Sequence, residues 1–504
     1  MVVEALVRGI SAALGAAGLP EPEGGITLEL PKHRDHGDWS TNVALQLAKA
    51  SGRKPREVAE GIAGALRAAP PPHLDRVEVA GPGFLNFHLS PSWLHDVLLA
   101  VVAADDHYGK SDVLHGQRIN LEFVSANPTG PLHAGGGRWI AVGDALANLL
   151  AAQGAEVCRE YYLNDAGNQL DTFGRSLHAR YLGQAPPEDG YQGDYLIEMA
   201  QRLRAERGDG VDLETAREWG YEEVVRELRA DLERIGVHFD VWFSERVLHE
   251  RGDVASVIEI LGERGYVDHR EGATWFRATD FGDQRDRVLV KSDGALTYLA
   301  TDLAYHSDKF GRGFDHLIDI WGADHHGQVR SVQAGMEALG FTPGEPEIIL
   351  GQLVTLMRGG EPVRISKRTG DIVTLSDILD EVDPDACRLT FLLGSIDTSM
   401  TFDLDVVTAK SMDNPVYYVQ YAHARIMSIG RKAAAQGIDR VPIEKVDLSV
   451  LVHERELELL RLLAGYPDVV AEAAAFRSPQ KVTTWVREFA GRFHGFYHDC
   501  RVVT

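Results

Sequence analysis

Apolar positions along this chain follow two periods, and the points where the period changes divide it. Near the N-terminus Val3, Leu6, Val7, Ile10 and Leu14 fall at helical spacing. Such a stripe marks an amphipathic helix with one face on a core. The spacing predicts helices over 4–18 and 55–69, with strand-like runs at 26–30 and 76–80. A turn at Gly81-Pro82-Gly83 leads into alternating apolar and polar residues up to Leu89, a further strand. From Arg118 the order becomes strand, helix, strand: Arg118–Val124, then 138–152, then Glu156–Leu163. That alternation predicts parallel strands with helices on the faces of the sheet. Residues 170–270 are more helical and more charged, with a Pro/Gly/acidic patch at 185–194, and read as a connective insertion. Strand signals return at Thr274–Phe276, Arg287–Lys291, His316–Ile320 and Glu347–Leu350. Beyond about 375 the period is helical, divided by a polar segment at 431–447.

The fold class expected is α/β, in three parts. Residues 1–110 form a small α/β domain. Residues 111–375 form a Rossmann-like nucleotide-binding domain carrying the insertion at about 170–270, and 376–504 form a helical domain. A length of 504 residues agrees, being too long for one core. With 44% hydrophobic and 25% charged residues the composition is ordinary globular protein. The net charge is -24, from 51 basic and 75 acidic residues. By itself that argues against nucleic-acid binding, which needs positive surface. A local basic face can nonetheless coexist with an acidic remainder. Three widely spaced cysteines, Cys158, Cys387 and Cys500, make no disulfide framework and no Cys-rich zinc site, so a cytoplasmic location is expected. The N-terminal stripe lacks the long apolar core of a signal peptide, and the longest apolar run, Val97–Ala104, is far too short to span a bilayer.

The richest stretch runs Glu122-Phe123-Val124-Ser125-Ala126-Asn127-Pro128-Thr129-Gly130-Pro131-Leu132-His133-Ala134-Gly135-Gly136-Gly137-Arg138. A buried strand is broken by Pro128 and Gly130, and a helix opens on three glycines. Strand, small-residue loop and helix start bring phosphates to backbone N–H groups and a helix N-terminus. An imidazole at His133 adds a donor for phosphate oxygens. Far downstream lies Val363-Arg364-Ile365-Ser366-Lys367-Arg368-Thr369-Gly370, with three cations within five residues. Lys367 there is a point charge suited to a leaving pyrophosphate. A third run, Trp321-Gly322-Ala323-Asp324-His325-His326-Gly327-Gln328, follows a strand at the edge where a nucleotide would lie. Its adjacent histidines point apart and lack a third spaced ligand, so no metal site is expected and Asp324 and His326 read as ATP contacts. A dinucleotide oxidoreductase is excluded by the missing GxGxxG and the missing ribose-binding acid.

These motifs resemble those of class I aminoacyl-tRNA synthetases, and the wording SANPTGPLH resembles the arginyl-tRNA synthetases. The first motif of the family reads His-x-Gly-His; here Gly136 replaces the second histidine. The second resembles the KMSKS loop, with Arg364, Ser366 and Lys367 at its positions. The resemblance implies ATP contacts at His133, Gly135, Gly136, Asp324, His326, Arg364, Ser366 and Lys367, with His133 and Lys367 catalytic and Mg²⁺ accompanying the nucleotide. It places arginine on Glu122, Asn127, His133, Tyr298 and Asp302. The residue types suit that cargo: Glu122 is a charge inside an apolar strand, and Tyr298 and Asp302 share a helix face at i,i+4. A guanidinium with five N–H donors calls for a fork of carboxylates. The resemblance extends to His36-Gly37-Asp38-Trp39-Ser40-Thr41-Asn42 in a tRNA-contacting N-terminal domain. It also covers Asn414-Pro415-Val416-Tyr417-Tyr418-Val419-Gln420-Tyr421-Ala422-His423-Ala424-Arg425 in a helical anticodon-binding domain. Family members continue through a further helix, so that last domain is expected to be C-terminally incomplete.

The implied activity is ATP-dependent ligation of L-arginine to its tRNA through an adenylate, with tRNA needed for activation. The implied partners are arginine tRNA, L-arginine and ATP, with no membrane, and the chain is expected to be a monomer. Two other readings stay open: a class I synthetase for another amino acid, and a catalytically silent tRNA-binding relative.

Overall fold

A computed structural model of the chain describes residues 2–363 and 373–503. The chain forms two compact units. One holds the residues up to Tyr108 with Ser428–Tyr466 and the segment from Gly491 onward, and the other holds Gly109–Met427 with Pro467–Ala490.

In the first unit the N-terminal stripe folds as expected. Helix α1 (Val2–Ala16) buries Leu6, Ile10 and Leu14. Strand β1 (Trp39–Thr41), helices α2 (Val43–Ser51) and α3 (Pro55–Ala68), strands β2 (Leu74–Ala80) and β3 (Phe84–Leu89) and helix α4 (Ser92–Ala104) follow. The strands form an antiparallel sheet in the order β1-β3-β2. Leu47, Ile62, Leu85 and Phe87 close a core against α1. The run at 26–30 makes only a single bridge, Glu29 to Ser40, because Pro31 has no N–H to continue a ladder.

The second unit carries the parallel sheet. Its elements begin with β4 (Arg118–Glu122), α5 (Gly137–Ala152), β5 (Glu156–Leu163), α6 (Asn168–Tyr181), α7 (Tyr195–Arg207) and α8 (Leu213–Arg234). Next come β6 (Val241–Ser244), α9 (Glu245–Arg251), α10 (Asp253–Glu263), β7 (Val267–Arg270), β8 (Ala273–Phe276) and β9 (Arg287–Val290). Then follow α11 (Tyr298–Gly311), β10 (His316–Gly322), α12 (His326–Ala338), β11 (Glu347–Gly351), β12 (Val354–Arg358) and β13 (Glu361–Pro362). Beyond 373 lie α13 (Leu375–Glu381), α14 (Pro384–Phe391), β14 (Met400–Asp403) and α15 (Leu404–Thr408). The longer helices α16 (Pro415–Ala435), α17 (Glu454–Ala475) and α18 (Gln480–Asp499) end the described chain, with no helix between 436 and 453 longer than a short 3₁₀ turn.

Five strands pair in parallel in the order β11-β10-β4-β5-β6. The connections run outward in both directions from β4, so the order reverses between β4 and β10. Ligands of open parallel sheets bind at the carboxyl ends of the strands beside such a switch point. Three results differ from the periodicity. Val241–Ser244, inside the stretch read as an insertion, is the edge strand of this sheet. The runs at 273–276 and 287–290 instead join β7 in a separate antiparallel sheet. Within the helical C-terminal region, Met400–Asp403 pairs in parallel with β12. Four-residue strands set among long helices carry too few positions for a period to show.

Candidate functional site

The loop after β4 departs from regular backbone at once. Val124 and Ser125 have φ of 72° and 37°. A β-branched residue in that region is strained, and such strain persists only where surrounding contacts over-determine it. Here Ser125 Oγ donates to Glu122 Oε1 (2.8 Å) and accepts from the Tyr162 N–H (3.1 Å), while the Tyr161 hydroxyl donates to the Ala126 carbonyl (3.0 Å). The loop therefore turns out of the sheet, leaving Asn127 exposed at its tip.

His133 caps the turn that starts α5. Its Nδ1 accepts from the Gly135 N–H at 2.9 Å, which places the ring proton on Nε2. The three glycines differ in what they require. A Cβ on Gly137 would sit 2.5 Å from the Phe391 ring, so this position needs glycine for close packing. At Gly136 a Cβ meets nothing within 4 Å among the described residues, and φ is ordinary. Arg364, Ser366 and Lys367 lie outside the described residues. The residues that follow them are tied to His133: Ala134 N–H donates to the Val373 carbonyl (3.0 Å) and Leu375 N–H to the Leu132 carbonyl (2.8 Å). Arg138, fully buried one turn into the motif, donates to the carbonyls of Gln352 (3.0 Å), Thr398 (2.7 Å) and Ser395 (2.5 Å). It thus ties the start of α5 to the segments that lead into β12 and β14. The sequence reading gave Arg138 no role, because its partners are backbone atoms more than 200 residues away.

On the other side of the switch point lies a charged interior. Asp319 of β10, Glu122 of β4 and Glu160 of β5 are in register across three adjacent strands. Like charges in such a row repel, and helix α11 supplies the counter-charges. Lys309 Nζ lies 2.6 Å from Glu122 Oε2 and 2.9 Å from Asp319 Oδ1. Arg312, just past the helix, binds Glu160 through both oxygens at 2.7 and 2.8 Å, and the Tyr305 hydroxyl and the Asn120 amide add to it. Burial pushes the Glu160 carboxyl up, but Arg312 and Lys309 hold it below the usual range. His306 meets an acceptor at each ring nitrogen: the Asp302 carbonyl at Nδ1 and Asp319 at Nε2, both 2.6 Å. Both nitrogens must then carry protons, and the ring is an imidazolium. Burial works against that charge, but Asp319 outweighs it and lifts the His306 pKa above its ordinary value.

Three carboxylates thus face three cations, and Asp302 stands outside these pairings. Among the described residues no side chain donates to Asp302. Burial first, then Glu122, Glu245 and Asp319, push its pKa up to about 7, against the opposing pull of His306. Tyr298, at the first position of α11, is 64% exposed, one turn before Asp302. Glu245, a buried carboxylate at the start of α9, was not singled out from the sequence, where it reads as an acidic residue in a first turn. Tyr162 bonds to it, and so does the Asn164 amide, oriented with its nitrogen toward Oε2 (3.0 Å). The Tyr162 ring lies 4.4 Å from that of Tyr305 and walls the same space. Asp324 and His326 are exposed past the carboxyl end of β10. Among the described residues no group of three metal-ligating side chains forms, and no helix is long and apolar enough to cross a membrane.

Parallel sheet, glycine-rich helix start and a cluster of buried acids fall at one switch point, and comparison with known proteins gives the same class. Residues 4–89 match the arginyl tRNA synthetase N terminal domain, 205–391 the catalytic domain of class I (R) tRNA synthetases, and 419–504 the DALR anticodon binding domain. The second unit is therefore a class I tRNA synthetase catalytic fold. Over whole chains, the arginine–tRNA ligase of Moorella thermoacetica is 48% identical across 95% of this chain and 87% of its own. That of Desulforamulus reducens is 46% identical with the same coverage. This chain belongs to the arginine–tRNA ligase family. The structure of Thermus thermophilus arginyl-tRNA synthetase matches in fold, with a TM-score of 0.72 over 99% of this chain and 92% of that one at 21% identity.

Proposed function

We propose that this protein activates L-arginine with ATP and transfers it to arginine tRNA, with the guanidinium seated between Asp302 and Glu122. The observation that carries the reading is the setting of Asp302. Among the described residues no side chain donates to Asp302, while Glu122, Asp319 and Glu160 beside it are each paired with a cation, so the site accepts one more positive charge. Planar guanidinium donors suit a pair of carboxylates, with Tyr298 beside them and Glu245 behind. Asn127 and His133 line the path from that pocket to the nucleotide and hold the α-amino and carboxylate end.

The arginine carboxylate oxygen attacks the α-phosphorus, and the bond to pyrophosphate breaks. Positioning and electrostatics supply most of the acceleration. The Nε2–H of His133 donates to phosphate oxygens as charge moves to the leaving group, with Gly135, Gly136 and the start of α5 against the nucleotide. Asp324 and His326 contact it from β10, and Arg364, Ser366 and Lys367 meet the departing pyrophosphate. A terminal ribose hydroxyl of tRNA then attacks the acyl carbon and AMP leaves. Mg²⁺ fits as the counter-ion of the nucleotide rather than a cofactor held by side chains. We read the chain as a cytoplasmic monomer that activates arginine only with tRNA present.

Arginine-dependent ATP–pyrophosphate exchange, with and without tRNA, tests this reading. Exchange that needs arginine and tRNA and is lost in Asp302→Ala supports it. Exchange without tRNA removes the gating. Folded protein with no exchange favours a silent tRNA-binding relative.

A further inference from the structure

We propose that Lys309 is a positioning residue for the arginine pocket: its ammonium, held between Glu122 and Asp319, fixes the carboxylate that the guanidinium meets. The inference rests on the reading of Glu122 and Asp302 as the guanidinium site.

Lys309 is fully buried. Of its three protons, two point to Glu122 and Asp319, and the ammonium lies 4.4 Å from the centre of the Tyr305 ring. Buried against the Tyr305 ring, it acts through Glu122 rather than on a substrate atom. Two consequences follow from where it sits. First, Glu122 is gripped at both oxygens, by Lys309 and by Ser125, so its remaining lone pairs have a fixed direction. Second, Lys309 lies two turns beyond Asp302 on α11, on the same face. Its bonds to β4 and β10 therefore set the separation of Asp302 from Glu122. The pocket presents one unmatched negative charge because Lys309 has already matched Glu122. Without the ammonium, Glu122 and Asp319 would be adjacent buried acids with no cation between them, and Glu122 would lose the contact that aims its carboxylate at a guanidinium.

The test is steady-state aminoacylation by the full chain with tRNA, varying arginine and ATP separately, alongside thermal melting. Lys309→Met is expected to raise the KM for arginine about tenfold or more, while the KM for ATP stays within about threefold. Lys309→Arg, which keeps the charge, is expected to recover part of the loss. Should Lys309→Met not fold, the double variant Lys309→Met/Asp319→Asn, which removes one charge of each sign, carries the same expectation. A folded variant whose arginine KM stays within twofold of wild type overturns the proposal. So does an equal loss for both substrates, or failure of both variants to fold, since either marks a purely structural ion pair. Asp302→Ala run in parallel separates the two ideas. If it leaves the arginine KM unchanged, the pocket reading itself fails; if it raises that KM and the Lys309 variants do not, only the role of Lys309 fails.

Discussion

The two sides of the switch point are built differently. The side proposed for the nucleotide is made of backbone: a capped helix start, close-packed Gly137 and a loop return hydrogen-bonded beside His133. Its parts lie close together in sequence, so the pattern of residue types reports them. The side proposed for arginine is made of charge, with three in-register acids met by cations on and just past α11, roughly 150–190 residues away from two of them. Backbone cradles tolerate side-chain change wherever space is open. Buried ion networks do not, because removing one member strands another. A buried acidic cluster can keep a place for a ligand through a shortage of cations, here at Asp302, to which no side chain among the described residues donates.

The sharpest way to break that contrast is Asp302→Asn. It removes the unmatched charge with almost no change of shape, and kcat/KM for arginine is expected to fall about a thousandfold while the KM for ATP moves little. An equal rise in both constants would erase the distinction between the two sides. Next in size, Arg138→Met leaves three part-buried carbonyls without the buried donor they share. A loss of roughly 3 kcal/mol in the unfolding of the catalytic unit is expected in a denaturant titration. No loss would mean that this tie is dispensable.

The pH dependence sharpens the arginine side. The Asp302 carboxyl, raised to about 7, is partly protonated near neutrality, and the guanidinium needs it ionised. Arginine binding therefore expels a proton below that value. The KM for arginine is expected to fall about tenfold per unit as pH rises toward 7, then level off. Asp302→Asn should flatten that profile; an unchanged slope would assign the titration to another group. The smallest effect is expected at Gly136→His. Open space around the Cβ position predicts activity within about threefold of wild type, whereas Gly137→Ala should cost about 1–3 kcal/mol through its clash with Phe391. Aminoacylation rates and melting curves of the two variants decide whether Gly136 is a free choice.

Much of this was legible beforehand. The N-terminal helix, the strand–helix–strand run from Arg118 and the strands at 316 and 347 follow from periodicity alone. Glu122 announced itself as a charge among apolar residues, and Tyr298 and Asp302 do fall one turn apart on a helix. What stayed hidden has a common cause. Val241–Ser244 is too short for its period to show, and its place in the sheet depends on pairing with β5. Lys309, His306 and Glu245 look like ordinary charged positions until the chain folds, because a helical period does not say which residue lies opposite.

Order along the chain carries the local chemistry: where backbone turns and where glycine allows close approach. These depend on neighbours a few positions away. Only the tertiary structure decided which acids are satisfied and which one waits for a ligand. That follows from Coulomb interactions across strands and a helix far apart in the chain, and the sign of the balance exists only once Asp319, Glu122 and Glu160 stand in one row beneath α11.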